Sequence, residues 1–153
     1  MKPEIKISKE DAQLIVDQIK ADICIYDVED IVGGKTETKD IQDMAVEKAE
    51  KALANWLLAG VMLGKIDYKK EDKKIVLYLQ KPLKTEESEK KQVVFHVKDI
   101  DMNTMKSFES YHSEVDQMVA AMAFLVQDMS QKLLKKLSGN DLYFANAITK
   151  LFL

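Results

Sequence analysis

Between Lys65 and Lys98 the apolar residues stand two apart, while on either side of that stretch they stand three and four apart. Ile66 and Tyr68, then Ile75, Leu77 and Leu79, then Val93, Phe95 and Val97 predict three strands. Lys70 to Lys73 predicts the turn of a hairpin, and Thr85 to Gln92 a polar loop with a mobile tip. This change of period fixes the class. The chain is expected to be α+β, mainly helical, with a small antiparallel sheet between two helical regions, in the order α-α-β-β-β-α-α-α.

Ser8 with Asp11 is a capping-box variant, and Ala12, Ile15, Val16, Ile19 and Ile23 follow it at helical spacing, so a first helix is expected from about Lys9. Its continuation to Val32 stays open, because Ile23 to Val28 is also rich in β-branched residues. Gly33 and Gly34 stop whatever precedes them. Thr38 then caps a second helix, whose face is Ile41, Met44, Ala45, Ala49, Ala52, Leu53, Trp56 and Leu57, and Gly60 and Gly64 end it. Beyond the strands, Met102, Met105, Phe108, Val115, Val119, Met122, Val126 and Met129 predict one long helix from about Asn103 to Asp128. Ser130 caps a short helix through Leu137, and Ser138 with Asp141 opens a final helix running to Leu151, Phe152 and Leu153. At 153 residues, with no repeat and no long linker, the chain is read as a single domain over 1–153: an N-terminal helical segment over 1–64, then the sheet and C-terminal helices over 65–153.

All 23 basic residues are lysine, and the net charge is -3. Arginine is the side chain best suited to bidentate contacts with phosphate and guanine, so the composition argues against nucleic acid. Residues 65–98 are locally basic, with ten lysines against six acids, and lysine-rich edge strands that resist aggregation account for that. A single cysteine, Cys24, excludes an intrachain disulfide and fits the cytoplasm. The first eleven residues are too charged for a signal peptide, and the longest apolar runs are well short of a membrane span, so neither export nor membrane insertion is expected.

The sequence carries no catalytic constellation, metal site or cofactor motif. Gly33, Gly34, Lys35 and Thr36 resemble the end of a phosphate loop, but Glu29 stands where its first glycine belongs. His96 and His112 lack partners at zinc-site spacing; His96 reads as the wet face of a strand and His112 as a packed histidine on the long helix. Cys24 reads as buried and inert, and the acid pairs Glu29–Asp30 and Glu86–Glu87 as solvated charge. Two features do point to a partner. Five methionines, Met102, Met105, Met118, Met122 and Met129, fall in the long helical stretch, where they build either a loosely specified core or a surface for varied apolar partners. The terminal Leu151, Phe152 and Leu153 must dock on their own domain or on another chain.

From Lys74 to Leu153 the chain resembles the tail assembly chaperones of long-tailed phages, the Mu-like small proteins encoded just before the tape measure protein. The shared pattern is a strand ending in Leu79, Gln80, Lys81, Pro82 and Leu83, a polar loop, and a second strand at Val93 to Val97. A long helix from Asp101 to Met129 and a short helix ending in Leu137 follow, then Ser138, Gly139, Asn140, Asp141 and Leu142 leading to Phe152. The chain departs from the pattern in its long segment Met1 to Gly64 and in lacking arginine in the second strand. What the resemblance implies is a non-enzymatic protein of the host cytoplasm that coats the tape measure protein, keeps its apolar helices soluble and helps recruit tail tube subunits. Together with the methionine stripe it makes Met105, Met118, Met122, Met129, Leu151 and Phe152 the candidate partner-binding residues. The alternative is a bacterial structural or regulatory module in which the same apolar surface builds a homo-oligomer.

Overall fold

The computed structural model describes residues 3–23 and 41–153. The segment holding Cys24, Glu29, Asp30, the Gly33 to Thr36 motif and Thr38 lies outside the described residues, as does any continuation of the first helix to Val32. Helix α1 spans Lys9–Asp22 and α2 spans Ile41–Met62. Strands β1 (Ile66–Lys69), β2 (Lys74–Lys84) and β3 (Glu89–His96) follow. The C-terminal region is α3 (Met102–Glu109), α4 (Glu114–Val126), α5 (Gln131–Leu134) and α6 (Gly139–Lys150). The architecture is α+β in the predicted order, with the predicted long helix divided in two.

The division has a local cause. Ser107 and Ser110 turn their hydroxyls back onto the carbonyls of Thr104 and Ser107 at 2.6 and 2.7 Å, and so compete for the end of α3. Ser113 then accepts from Asp116 N at 3.0 Å and starts α4 afresh. Serine caps also open α1, where Ser8 accepts from Asp11 N, and α5, where Ser130 accepts from Leu133 N. α5 is shorter than expected, and single turns carry the chain on to Leu137. Gly60 does not end α2 but lies buried inside it, and Gly64, at φ +70°, follows the helix end.

Among the described residues the sheet has three antiparallel strands in the order β1-β2-β3. Its inner face is built from cross-strand rows, Ile66 with Leu77 and Val93, and Tyr68 with Ile75 and Phe95. Helices α2, α4 and α6 pack on that face, contributing Leu57, Val61, Met122, Leu125, Phe144 and Ile148 to the same core. Full burial of each such side chain is worth about 1.5–3 kcal/mol. A smaller cluster joins Phe108 of α3 to Ala120 and Ala121 of α4, with the Phe108 ring edge-on to Phe124 at 6.0 Å. Lys98 closes the same corner: its Nζ donates to the Phe124 carbonyl at 2.9 Å and lies 4.7 Å from the ring, and burial lowers its pKa below the ordinary lysine value.

The expected loop from Thr85 to Gln92 is smaller than its polarity suggests. β3 begins at Glu89, and Thr85 and Ser88 close a tight turn in which Thr85 N donates to the Ser88 carbonyl at 2.8 Å. The irregularity sits instead within β2. Tyr78 pairs with Gln92 and Leu83 with Lys90, so Leu79 to Pro82 stand opposite Lys91 alone. β1 is too short to cover this part of β2 on its other side, and a side chain does so. Asp141, 2% exposed in the first turn of α6, accepts from Gln80 N with both oxygens at 3.0 Å and from Lys81 N at 2.9 Å. Ser138 makes no side-chain cap, so the expected Ser138–Asp141 capping box is replaced by this clasp between helix and strand.

Candidate partner-binding groove

The break between α3 and α4 sets up a surface that gathers three of the six candidate residues, Met105, Met118 and Met122. Gln117 Nε2 donates to the Tyr111 carbonyl at 3.1 Å and Gln131 Nε2 donates to Tyr111 Oη at 2.9 Å, fixing the turn against α4 and α5. An ion pair of 2.9 Å between Lys135 and Asp116 ties α5 to the first turn of α4. Asp116 is held below the usual carboxylate range, first by its hydrogen bond from Lys135 and then by that from Ser113.

Two depressions open along this region. One, of about 320 Å³, is lined by Val115, Met118, Met122, Leu134, Leu137 and Leu142. The other, of about 460 Å³, lies between α3, α4 and the chain end and includes Met105, Phe108, Met118 and Leu153. They share Glu114 and Met118, so Met118 stands where they meet.

The six candidate residues therefore separate. Met118 is half-buried at the junction, and Met105, 40% exposed, lines the second depression. Met122 is 1% exposed and forms floor rather than lip. Met129 is buried in the main core and lines neither depression, which corrects the expectation of one continuous methionine face. Leu151 and Phe152 are half-buried against the main core, so the C-terminal helix docks on its own chain. Leu151 borders a separate pocket of about 170 Å³ between α1, α2 and α6.

Val115, 68% exposed, and Leu142 line the groove without having been candidates, and Leu153 entered only as part of the apolar chain end. Val115 shares the apolar stripe of Val119 and Met122, which the core buries, but at the start of α4 it lies beyond the reach of that core and stays exposed. Leu142 lines the groove because the tertiary placement of α6 turns it toward α4. His112 is exposed in the turn between α3 and α4 rather than packed, because the helix that would have buried it stops at Glu109. His96 is half-buried at the end of β3, and Glu86 and Glu87 are exposed in the hairpin turn.

Among the described residues no three His, Cys, Asp or Glu side chains converge as metal ligands, and no helix is long and apolar enough to cross a membrane. Compared with known proteins, the chain matches no protein-family model, no curated protein and no solved structure.

Proposed function

We propose that the protein is a non-enzymatic tail assembly chaperone that works in the host cytoplasm, covers apolar helical stretches of a tape measure protein and aids recruitment of tail tube subunits. The observation that carries this reading is the apolar depression along α4, which meets a second depression of mixed polarity at Met118. A groove with methionine at its centre and floor suits partners that share an apolar stripe but differ in sequence, because the thioether side chain adapts its shape at little cost. Helix-in-groove binding uses anchors spaced three, four and seven residues apart, the pattern that a long apolar helix repeats along its length. The resemblance over Lys74 to Leu153 supplies the identity of the partner.

Co-expression tests the reading. The wild-type chain should keep the tape measure protein of the same phage or prophage in the soluble fraction, and the double variant Val115→Asp/Met118→Asp should fail to do so. Met122 is left intact, since a charge at that buried site would unfold the protein. A double variant of native helix content that solubilises the partner as well as wild type would remove the groove from the reading. If that variant instead abolishes a homo-oligomer seen by light scattering, the groove belongs to self-association.

A further inference from the structure

The groove around Met118 is apolar on its floor, and the charges at its lip do not balance. Lys135 is already paired with Asp116. Among the described residues Glu109 and Glu114 form no ion pair, and the same holds for Lys150 beside Leu153. Two free acids against one free lysine leave the lip negative. Glu114 has a use within the fold, since an acid in the first turn of α4 favours the helix dipole. Glu109 has none. It is the last residue of α3, the end at which the dipole disfavours a carboxylate, yet it lines the second depression beside Met105 and Phe108.

We infer that the groove takes an amphipathic helix whose apolar stripe is flanked by lysine or arginine, with the basic flank set against Glu109 and Glu114. The inference rests on the proposed reading of the groove as a helix-binding surface and adds the charge that selects the helix. An opposite charge at the rim guides encounter and fixes register more than it adds affinity, while the stripe supplies the burial. A helix with an acidic flank meets like charge at the same two positions and is disfavoured.

Two synthetic helical peptides with the same Leu-Met-Ala stripe, one lysine-flanked and one glutamate-flanked, are titrated onto the full-length protein by fluorescence anisotropy. The lysine-flanked peptide should bind roughly three- to tenfold more tightly, and the preference should shrink at high salt. It should vanish in Glu109→Gln/Glu114→Gln and reverse in Glu109→Lys/Glu114→Lys, with helix content checked by circular dichroism. Equal affinity for both peptides would overturn the charge selection while leaving the groove as a site for apolar helices. Binding of neither would overturn both, and self-association lost in Val115→Asp would then identify a second copy of the chain as the occupant.

Discussion

Asp141→Ala removes the carboxylate that serves the uncovered edge of β2. Two backbone N–H groups, those of Gln80 and Lys81, donate to it through three contacts of 2.9–3.0 Å. A hydrogen bond to a charged acceptor contributes about 1.5–3 kcal/mol net of desolvation, so two donors set an upper value of about 3–6 kcal/mol. One effect reduces it: Gln80 and Lys81 are exposed, so water can reach part of what the carboxylate leaves. A net loss of about 2–4 kcal/mol is expected. Asp141→Asn should fall between wild type and alanine, because its one oxygen still accepts while its NH2 group faces a second donor.

Urea unfolding of the three proteins measures the difference, and amide hydrogen exchange assigns it to a place. Protection should fall at Gln80 and Lys81 in Asp141→Ala before it falls at Ile75 or Leu77, which are held by strands on both sides. A stability change within about 0.5 kcal/mol, the range of an ordinary surface substitution, with protection unchanged at Gln80, would show that solvent replaces the carboxylate and that the clasp does not hold α6.

In Gly60→Ala the new Cβ would meet Ile66 Cδ1 at 2.3 Å and Cγ1 at 2.7 Å; overpacking of about 1–3 kcal/mol should exceed the roughly 1 kcal/mol gain in helix propensity, and denaturant unfolding should show a net loss. Tyr68 has its pKa raised to about 12 by burial and then by its hydrogen bond to Asp22, so the stability it contributes is complete below the ordinary value of 10.0 and is lost as pH rises through the folded value; tyrosinate absorbance should show a late-ionising component that is lost in Tyr68→Phe and titrates earlier in Asp22→Asn. Asp101, held low by its hydrogen bonds with Thr104, and Asp116, held low by Lys135, act in the opposite sense; their contributions are present above pH 3.8 and lost below it, which acid titration of Asp101→Asn and Asp116→Asn against wild type should reveal as a shallower decline. Deleting residues 151–153 should lower stability by about 2 kcal/mol, for two half-buried apolar side chains, and leave light scattering unchanged.

The sheet was legible because alternation is a local signal: Ile75, Leu77 and Leu79 declare a strand without reference to anything distant. The break after Glu109 was hidden by the same kind of signal, since Met105, Phe108, Val115 and Val119 keep helical spacing straight through it. Ser113 with Asp116 repeats the Ser8 to Asp11 pattern that marks the start of α1, so the break was recorded in the capping residues and masked by periodicity. Asp141 is a different matter. Its partners lie sixty residues away, and no local pattern distinguishes a helix-capping aspartate from one that closes a strand edge. The groove was half legible on similar grounds: Met105 and Met118 were named for their residue type, but whether a methionine on an apolar stripe faces a core or a partner depends on what packs against it. α6 and the core cover Met122 and Met129 and leave Met118 at the surface.

α6 joins these observations physically. Its first turn is held to β2 by Asp141, and Trp56 of α2 stacks on Tyr143 at 4.8 Å and meets Phe144 edge-on at 5.3 Å. Ala145 and Ile148 are sealed in the core. Polar, aromatic and aliphatic contacts on three sides thus fix a helix whose remaining face presents Leu142 and Asn146 to the groove. A wall held in this way is set before any partner arrives, so docking against it avoids the cost of ordering a segment. The capacity to fit unlike partners then has to come from Met105 and Met118, whose side chains can change rotamer while the backbone that carries them stays in place. Replacing Met118 by leucine should accordingly narrow the range of helices accepted while leaving the best-fitting one bound, whereas Asp141→Ala should weaken all of them together by loosening the wall.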